Sequence, residues 1–120
     1  KVYDHSYNAS PYSLKKQIIH FDNLKVTRKL CIIGSIKELG NQTEKYHRDL
    51  LEDIKDLKVK RIILIGEDFF KLRSSYKTYN FYKSYKNYIN VMKKDLEYGK
   101  NIFVMGSRLN NLDKVIQFIC

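Results

Sequence analysis

Cysteine, proline and glycine are scarce: the 120 residues include two, one and five of them. Cys31 and Cys120 lie far apart and fit no disulfide-rich scaffold, so reduced thiols in a cytoplasm are expected. No apolar run approaches the ~20 residues that a membrane-spanning helix needs, and no basic, apolar, small-residue leader opens the chain. Composition thus argues against a membrane protein, an unprocessed secreted one and a disordered tail. Motifs are missing too. There is no G-x-x-x-x-G-K-[ST] phosphate loop, no G-x-G-x-x-G fingerprint, no nucleophile elbow and no triad pattern. Nothing here holds a triphosphate unaided, and as an enzyme the chain is incomplete. His5, His20, His47 and the two cysteines show no paired ligand spacing, so no metal site is expected.

What is present is a chain 43% hydrophobic and 30% charged, enough for one packed core and its cover. Lys and Arg number 23 against 13 Asp and Glu, a net charge of +10. Such a balance raises nucleic acid as a partner. Lysine outnumbers arginine 18 to 5, however, whereas base-edge and bidentate phosphate readers lean on arginine. A lysine, asparagine, isoleucine and tyrosine excess is also what A/T-rich codons supply. Residues 71–100 carry eight basic and two acidic side chains. There Tyr76, Tyr79, Tyr82, Tyr85 and Tyr88 interleave with Lys77, Lys83 and Lys86, which resembles a stacking surface for single strands. Three-residue spacing drifts by ~60° per step around a helix and makes no persistent stripe, so a solvated helix is the expectation.

Short apolar runs end in glycine three times: Leu30–Ile33 before Gly34, Ile62–Ile65 before Gly66, and Ile102–Met105 before Gly106. Runs of this kind predict strands buried on both faces of a parallel sheet. Val2–Asp4 reads as a further strand. Ser10 caps a helix that Pro11 opens and whose buried face is Leu14, Ile18 and Phe21. Tyr46, Leu50, Ile54 and Leu57 predict a second helix. A helix after Ile62–Ile65, a weaker strand near Tyr79–Tyr82, a long helix after it, and a last helix capped by Asn111 complete the order. The alternation predicts one α/β domain over residues 1–120: a Rossmann-like three-layer sandwich with a mainly parallel sheet of about five to six strands.

Ligands of such sheets bind outside the carboxyl ends of the strands. The polar residues concentrate there. Asp4 to Ser10 offers a carboxylate, hydroxyls, an amide and an aromatic face, suited to a nucleotide or equally to an Asx turn and a helix cap. Gly106-Ser107-Arg108 reads as an anion cradle or as a loop with a solvated arginine. Glu38 and His47 fit acid–base work, but a lone histidine at the rim of an apolar helical face is usually structural.

These strand ends resemble a known family. Asp4-His5-Ser6-Tyr7-Asn8-Ala9-Ser10-Pro11 resembles the D-D-S-Y-N-A-N-P segment that opens the C-terminal domain of the Mur ligases that add D-alanyl-D-alanine (MurF type). Gly34-Ser35-Ile36-Lys37-Glu38-Leu39-Gly40 is similar to the family's G-D-M-x-E-L-G. Ile65-Gly66-Glu67 is similar to its V-G-E, and Val104-Met105-Gly106-Ser107-Arg108 to its V-K-G-S-R. His47 falls where the family has a histidine on the following helix. The motifs run in register from about Val2 to the C-terminus, and the stretch from Phe69 to Lys100 matches loosely. Ser35 departs from the family's Asp, Met105 from its Lys, His5 from its second Asp and Ser10 from its Asn.

The resemblance implies the C-terminal third of a cytoplasmic bacterial enzyme of peptidoglycan synthesis, monomeric, with neither nucleic acid nor membrane as partner. Its N-terminal and central ATPase domains would lie outside this chain. ATP phosphorylates the carboxylate of UDP-N-acetylmuramoyl-tripeptide, and D-alanyl-D-alanine attacks the acyl phosphate. The resemblance implies that Asp4, Tyr7 and Asn8 face the nucleotide, and that Ser107 and Arg108 lie near the dipeptide or the transferring phosphoryl group. It implies that Ser35, Glu38 and His47 shape a loop, and that the missing central domain holds most of the ATP and Mg2+. The alternatives are another Mur-type or polyglutamate-type amide ligase, or a non-catalytic basic module that binds nucleic acid through residues 71–100.

Overall fold

The three apolar runs that end in glycine form the middle of one sheet. A computed structural model of the chain describes residues 1–6 and 10–119. Its strands are β1 (Val2–His5), β2 (Lys29–Gly34), β3 (Arg61–Ile65), β4 (Asn80–Tyr82) and β5 (Asn101–Met105). They lie in the order β1-β5-β2-β3-β4, and every pair is parallel. The helices are α1 (Pro11–Asn23), α2 (Thr43–Asp53), α3 (Glu67–Phe70), α4 (Tyr85–Ile89), α5 (Lys93–Tyr98) and α6 (Leu112–Ile119). None is long and apolar enough to cross a membrane.

Alternation along the strands divides the core. Cys31, Ile33, Ile62, Leu64, Phe103 and Met105 pack under α1, α2 and α3, with Leu14, Ile18, Phe21, Leu50, Leu51 and Phe69. Leu30, Ile32, Ile63, Ile65, Ile102 and Val104 point the other way, onto Tyr88, Met92, Leu112 and Val115 of the segment from α4 to α6. Both faces are therefore covered from within the chain, which is why the strands read as unbroken apolar runs. The sheet has five strands, inside the expected number.

Local chemistry sets the helix ends. Ser10 Oγ accepts from the Ser13 N–H at 3.2 Å and Ser13 Oγ from the Ser10 N–H at 3.1 Å, a capping box at the start of α1. Asn111 does precede α6, but in the left-handed region at φ 54°, and its carbonyl rather than its side chain accepts, from the Lys114 N–H. A tight turn over Arg108–Asn110 delivers the chain to α6 from that angle.

Residues 71–100 depart most from expectation. The anticipated long helix is two short ones, α4 and α5, because the Val91 N–H bonds back to Tyr88 at i−3, over the weak helix formers Asn90 and Val91. Nor is the segment a solvated surface. Tyr76 and Tyr88 are buried, and Tyr79 and Tyr82 pack against the two cores. Their hydroxyls find partners at the margin: Tyr76 donates to Glu52 at 2.7 Å, Tyr79 to the Leu51 carbonyl at 3.3 Å and Tyr88 to Asp95 at 3.0 Å. Burial and the nearby Asp95 carboxylate push the Tyr88 phenol well up. Tyrosine supplies apolar area with a polar tip here, not stacking faces for bases.

At the carboxyl edge the strands end unusually close together. A β-carbon on Gly106 would lie 2.7 Å from Gly34 Cα and 2.8 Å from Gly34 N. Leu112 Cδ1, at 2.8 Å, can swing away, but the Gly34 backbone cannot. Gly106→Ala is therefore expected to destabilise the domain by about 1–3 kcal/mol, as overpacking of a tight core does. Urea unfolding of the variant against the parent chain measures it, and an unchanged midpoint would refute the close approach.

Candidate functional site

The carboxyl edge is built around the Ser35 carbonyl. Ser35 follows β2 and is fully buried. Its N–H donates to the Ile65 carbonyl at 2.9 Å, extending the β2–β3 ladder one residue past Gly34. Its carbonyl accepts from the Ser107 N–H at 3.3 Å and from the Asn110 side-chain amide. Asn110 donates also to the Ser107 carbonyl at 3.2 Å, so one side chain joins the exits of β2 and β5. Gly66, at φ 125°, turns the chain out of β3, and a β-carbon there would fall 2.2 Å from Ser35 Oγ. Only glycine satisfies both the backbone angle and the space.

His47 supports the next turn of this loop. The ring is fully buried, not at the rim of its helix face, and meets Phe69 edge-on at 4.7 Å between centroids. Nε2 accepts from the Ile36 N–H at 3.0 Å, and Nδ1 donates to the Thr43 carbonyl at 2.6 Å. These two bonds require the neutral Nδ1–H tautomer. Burial holds the imidazole pKa below its ordinary value, against smaller opposing effects of the Thr43 carbonyl and Asp68. A ring used at both nitrogens has no proton to lend to a substrate. Glu38 is different: exposed, in the left-handed region at φ 65°, with no partner among the described residues.

Above this floor stand the side chains that face outward. Asp4 is exposed at the end of β1, in register with Val104 of β5. Oδ1 accepts from the Ser6 N–H at 2.9 Å, an Asx turn, and Oδ2 has no hydrogen-bond or ion-pair partner among the described residues. Two residues past β5, Ser107 is half-buried and Arg108 exposed, its guanidinium in no hydrogen bond or ion pair with the described residues. Tyr7 and Asn8 lie outside the described residues, as does Cys120. Next to the edge opens a cavity of about 390 Å³, lined by Lys37, Glu67, Lys83, Lys86, Asn110 and Asn111 among others. Lys37, on its wall, pairs with Asp68 at 3.2 Å, tying the β2 exit to α3. Among the described residues no three His, Cys, Asp or Glu side chains gather as a metal site.

Ser107, Ser35 and Asp4 thus share one edge, with Arg108 projecting from it and His47 beneath. Neither Asn110 nor the Lys37–Asp68 pair carries a signature in sequence. Each depends on segments far apart in the chain: Asn110 lies 75 residues from Ser35, and Lys37 lies 31 from Asp68. Ser35 and Met105, the two departures from the resemblance, are both buried at the exits of neighbouring strands. Replacing an acid and a base together leaves neither as an unpaired charge in the interior.

The Mur ligase, glutamate ligase domain model matches residues 1–108. A UDP-N-acetylmuramoyl-tripeptide–D-alanyl-D-alanine ligase of Borreliella burgdorferi is 31% identical over 96% of this chain and 26% of its own length. One of Rickettsia prowazekii is 29% identical over 93% of this chain and 26% of its own. The chain therefore spans about a quarter of the length of these curated relatives. Among solved structures, MurF from Acinetobacter baumannii superposes with a TM-score of 0.79 at 20% identity, over 98% of this chain and 27% of that one. MurF ligase from Thermotoga maritima in complex with ADP gives the same score, identity and coverage. At that identity the two structures establish the fold.

The His47 geometry has a pH consequence. Its folded pKa lies below that of the unfolded chain, about 6.5, so the unfolded state takes the proton first as pH falls. The stability it confers is complete above that value and is lost as pH drops toward the folded pKa. His47→Gln, which can still accept from Ile36, is expected to flatten the stability profile as pH falls below about 6.5. Thermal melts across that range test this; parallel profiles for the two proteins would rule it out.

Proposed function

The chain belongs to the Mur ligase family, and we propose that it is the C-terminal domain of an ATP-dependent ligase that joins D-alanyl-D-alanine to UDP-N-acetylmuramoyl-tripeptide. One observation carries the reading at the level of residues. A locked floor of Gly34, Gly66, Gly106, Ser35 and Asn110 supports outward groups, Asp4 and Arg108, whose charges have no ion-pair partner among the described residues. Groups held rigidly but left unpaired are suited to ligands supplied from outside. The names of the two relatives favour the dipeptide-adding reaction over other Mur-type or polyglutamate-type ligation. Tyr76 and Tyr88 are buried and Tyr79, Tyr82 and Tyr85 pack against the cores, so they give the nucleic-acid alternative no support.

In the proposed reaction ATP phosphorylates the terminal carboxylate of the tripeptide. The dipeptide amine then attacks the acyl phosphate, giving the new amide and inorganic phosphate. Asp4 Oδ2, open beside its Asx turn, accepts hydroxyl hydrogens such as those of a ribose. Arg108 offers a two-pronged donor to a carboxylate or phosphoryl oxygen, with Ser107 beside it. Tyr7 and Asn8 complete the nucleotide side by resemblance. The 390 Å³ cavity has room for a dipeptide, and Lys83 and Lys86 on its wall attract a terminal carboxylate. Mg2+ and most of the nucleotide belong with the central ATPase domain, this chain's proposed partner, which supplies the phosphate loop lacking here. When the two domains close, water is excluded from the acyl phosphate, which it would otherwise hydrolyse.

Two outcomes are expected. The chain alone turns over no ATP in a phosphate-release assay, and robust ATPase activity would sink the proposal. In the full-length enzyme Arg108→Ala lowers kcat/KM for ligation by roughly 10- to 1000-fold, the range for loss of an oriented charged donor. Because the exposed Arg108 side chain makes no hydrogen bond or ion pair among the described residues, the melting temperature stays put. Parental kinetics in that variant would overturn its assignment.

A further inference from the structure

The sheet's opposite edge, where the strands begin, holds a second cavity of about 500 Å³. Its walls are the loop from α1 to β2, the segment entering β3, and Tyr98 of α5. Five of the lining residues are cationic: Lys25, Arg28, Lys29, Lys58 and Lys60. None takes part in an ion pair among the described residues. One carboxylate lines the space, that of Asp22, and it is already engaged. It is buried and accepts from the Lys58 N–H at 2.9 and 3.1 Å and from the Val59 N–H at 2.9 Å. Lys29 Nζ donates to the Asp22 backbone carbonyl and lies 5.8 Å from the Phe21 ring centroid, with no carboxylate partner among the described residues.

The backbone holds this arrangement in place. Arg28 sits in the left-handed region at φ 52°, costly for a residue with a β-carbon. Its carbonyl accepts from the Lys100 and Asn101 N–H groups at 3.0 and 3.2 Å, and the Asn101 amide donates to the Thr27 carbonyl at 2.8 Å. The Arg28 guanidinium lies 5.6 Å from the Tyr98 ring centroid, and Arg61 covers the same ring at 4.1 Å. Fixing like charges around a concave space raises the local potential and costs stability that a bound multivalent anion returns.

We propose that this cavity binds a small oligophosphate, a molecule carrying two or more linked phosphate groups. Cations on several sides suit a chain of phosphates better than a single carboxylate, and an arginine fork matches phosphate oxygens. The volume is that of a small-molecule pocket, and a concave site favours a compact anion over a polymer. Strands of five residues separate this site from the ligase edge by about 16 Å, so it is not the ATP position proposed above.

The test is calorimetric titration of the chain with inorganic tripolyphosphate, and separately with ADP, at physiological ionic strength, with amide NMR spectra of each. The expected result is saturable one-to-one binding with shifts in residues 24–29 and 58–60. Lys58→Glu with Lys60→Glu is expected to weaken it about tenfold or more, while Lys71→Glu with Lys77→Glu, the same change in net charge elsewhere, moves it less than about twofold. The spectra report folding directly. Should the Glu pair unfold the chain, Lys58→Gln with Lys60→Gln replaces it, with a loss beyond that of Lys71→Gln with Lys77→Gln expected. Binding of tripolyphosphate alone identifies a free oligophosphate, and matching binding of ADP at the same residues a nucleotide's phosphate chain; either supports the site. No saturable binding, equal losses in both variant pairs, shifts confined to residues 34–38 and 106–110, or tighter binding of a single-stranded oligonucleotide at the cavity would overturn it.

Discussion

Gly106 lies against the Gly34 backbone, and that contact sets the geometry of the whole carboxyl edge. With no β-carbon between them, β2 and β5 continue side by side past the end of their ladder. The Ser35 carbonyl can then accept from both Ser107 and Asn110. Gly66 turns β3 away at the same level, over Ser35. The three exits form one hydrogen-bonded unit, and a shift in any of them moves the platform from which Asp4 and Arg108 project. Close packing of this kind transmits small displacements instead of absorbing them.

The edge separates support from chemistry. His47, Ser35 and Asn110 are buried, with both ring nitrogens of His47, the Ser35 carbonyl and the Asn110 side-chain N–H groups hydrogen-bonded, which stabilises the loops. The side chains of Asp4, Ser107 and Arg108 stand outside that network, although the Ser107 backbone belongs to it. A lone histidine beside a glutamate looks like acid–base machinery in one dimension, yet the ring is a brace between Ile36 and Thr43.

The net charge of +10 takes on a different meaning in three dimensions. In sequence its densest stretch is residues 71–100, where lysines interleave with tyrosines. Folding turns Tyr76 and Tyr88 inward and breaks the segment into a strand, turns and two short helices, so no continuous stacking face remains. The concentrated potential arises elsewhere. Residues near 25, 28 and 58–60, unremarkable in sequence, meet at the opposite edge because β2 and β3 are neighbours and start at the same level. Both edges are polar, but one presents a mixed set of groups around bonded turns and the other an almost uniform positive concavity.

By itself the sequence determined the layers and the direction of the sheet. Glycine-ended β-branched runs, the Ser10 capping box and the apolar face of α1 are local signals whose physics needs few distant partners. They also marked Asp4, Ser107 and Arg108, because residues just past buried strands must emerge at one edge. Tertiary structure decided what those signals could not contain. The strand order β1-β5-β2-β3-β4, the Ser35–Asn110 bond across 75 residues, the burial of His47 and the inward turn of the tyrosines all rest on distant contacts. Spacing in the chain fixes which side of an element a residue occupies; only the assembled neighbours fix whether that side meets solvent, core or a ligand.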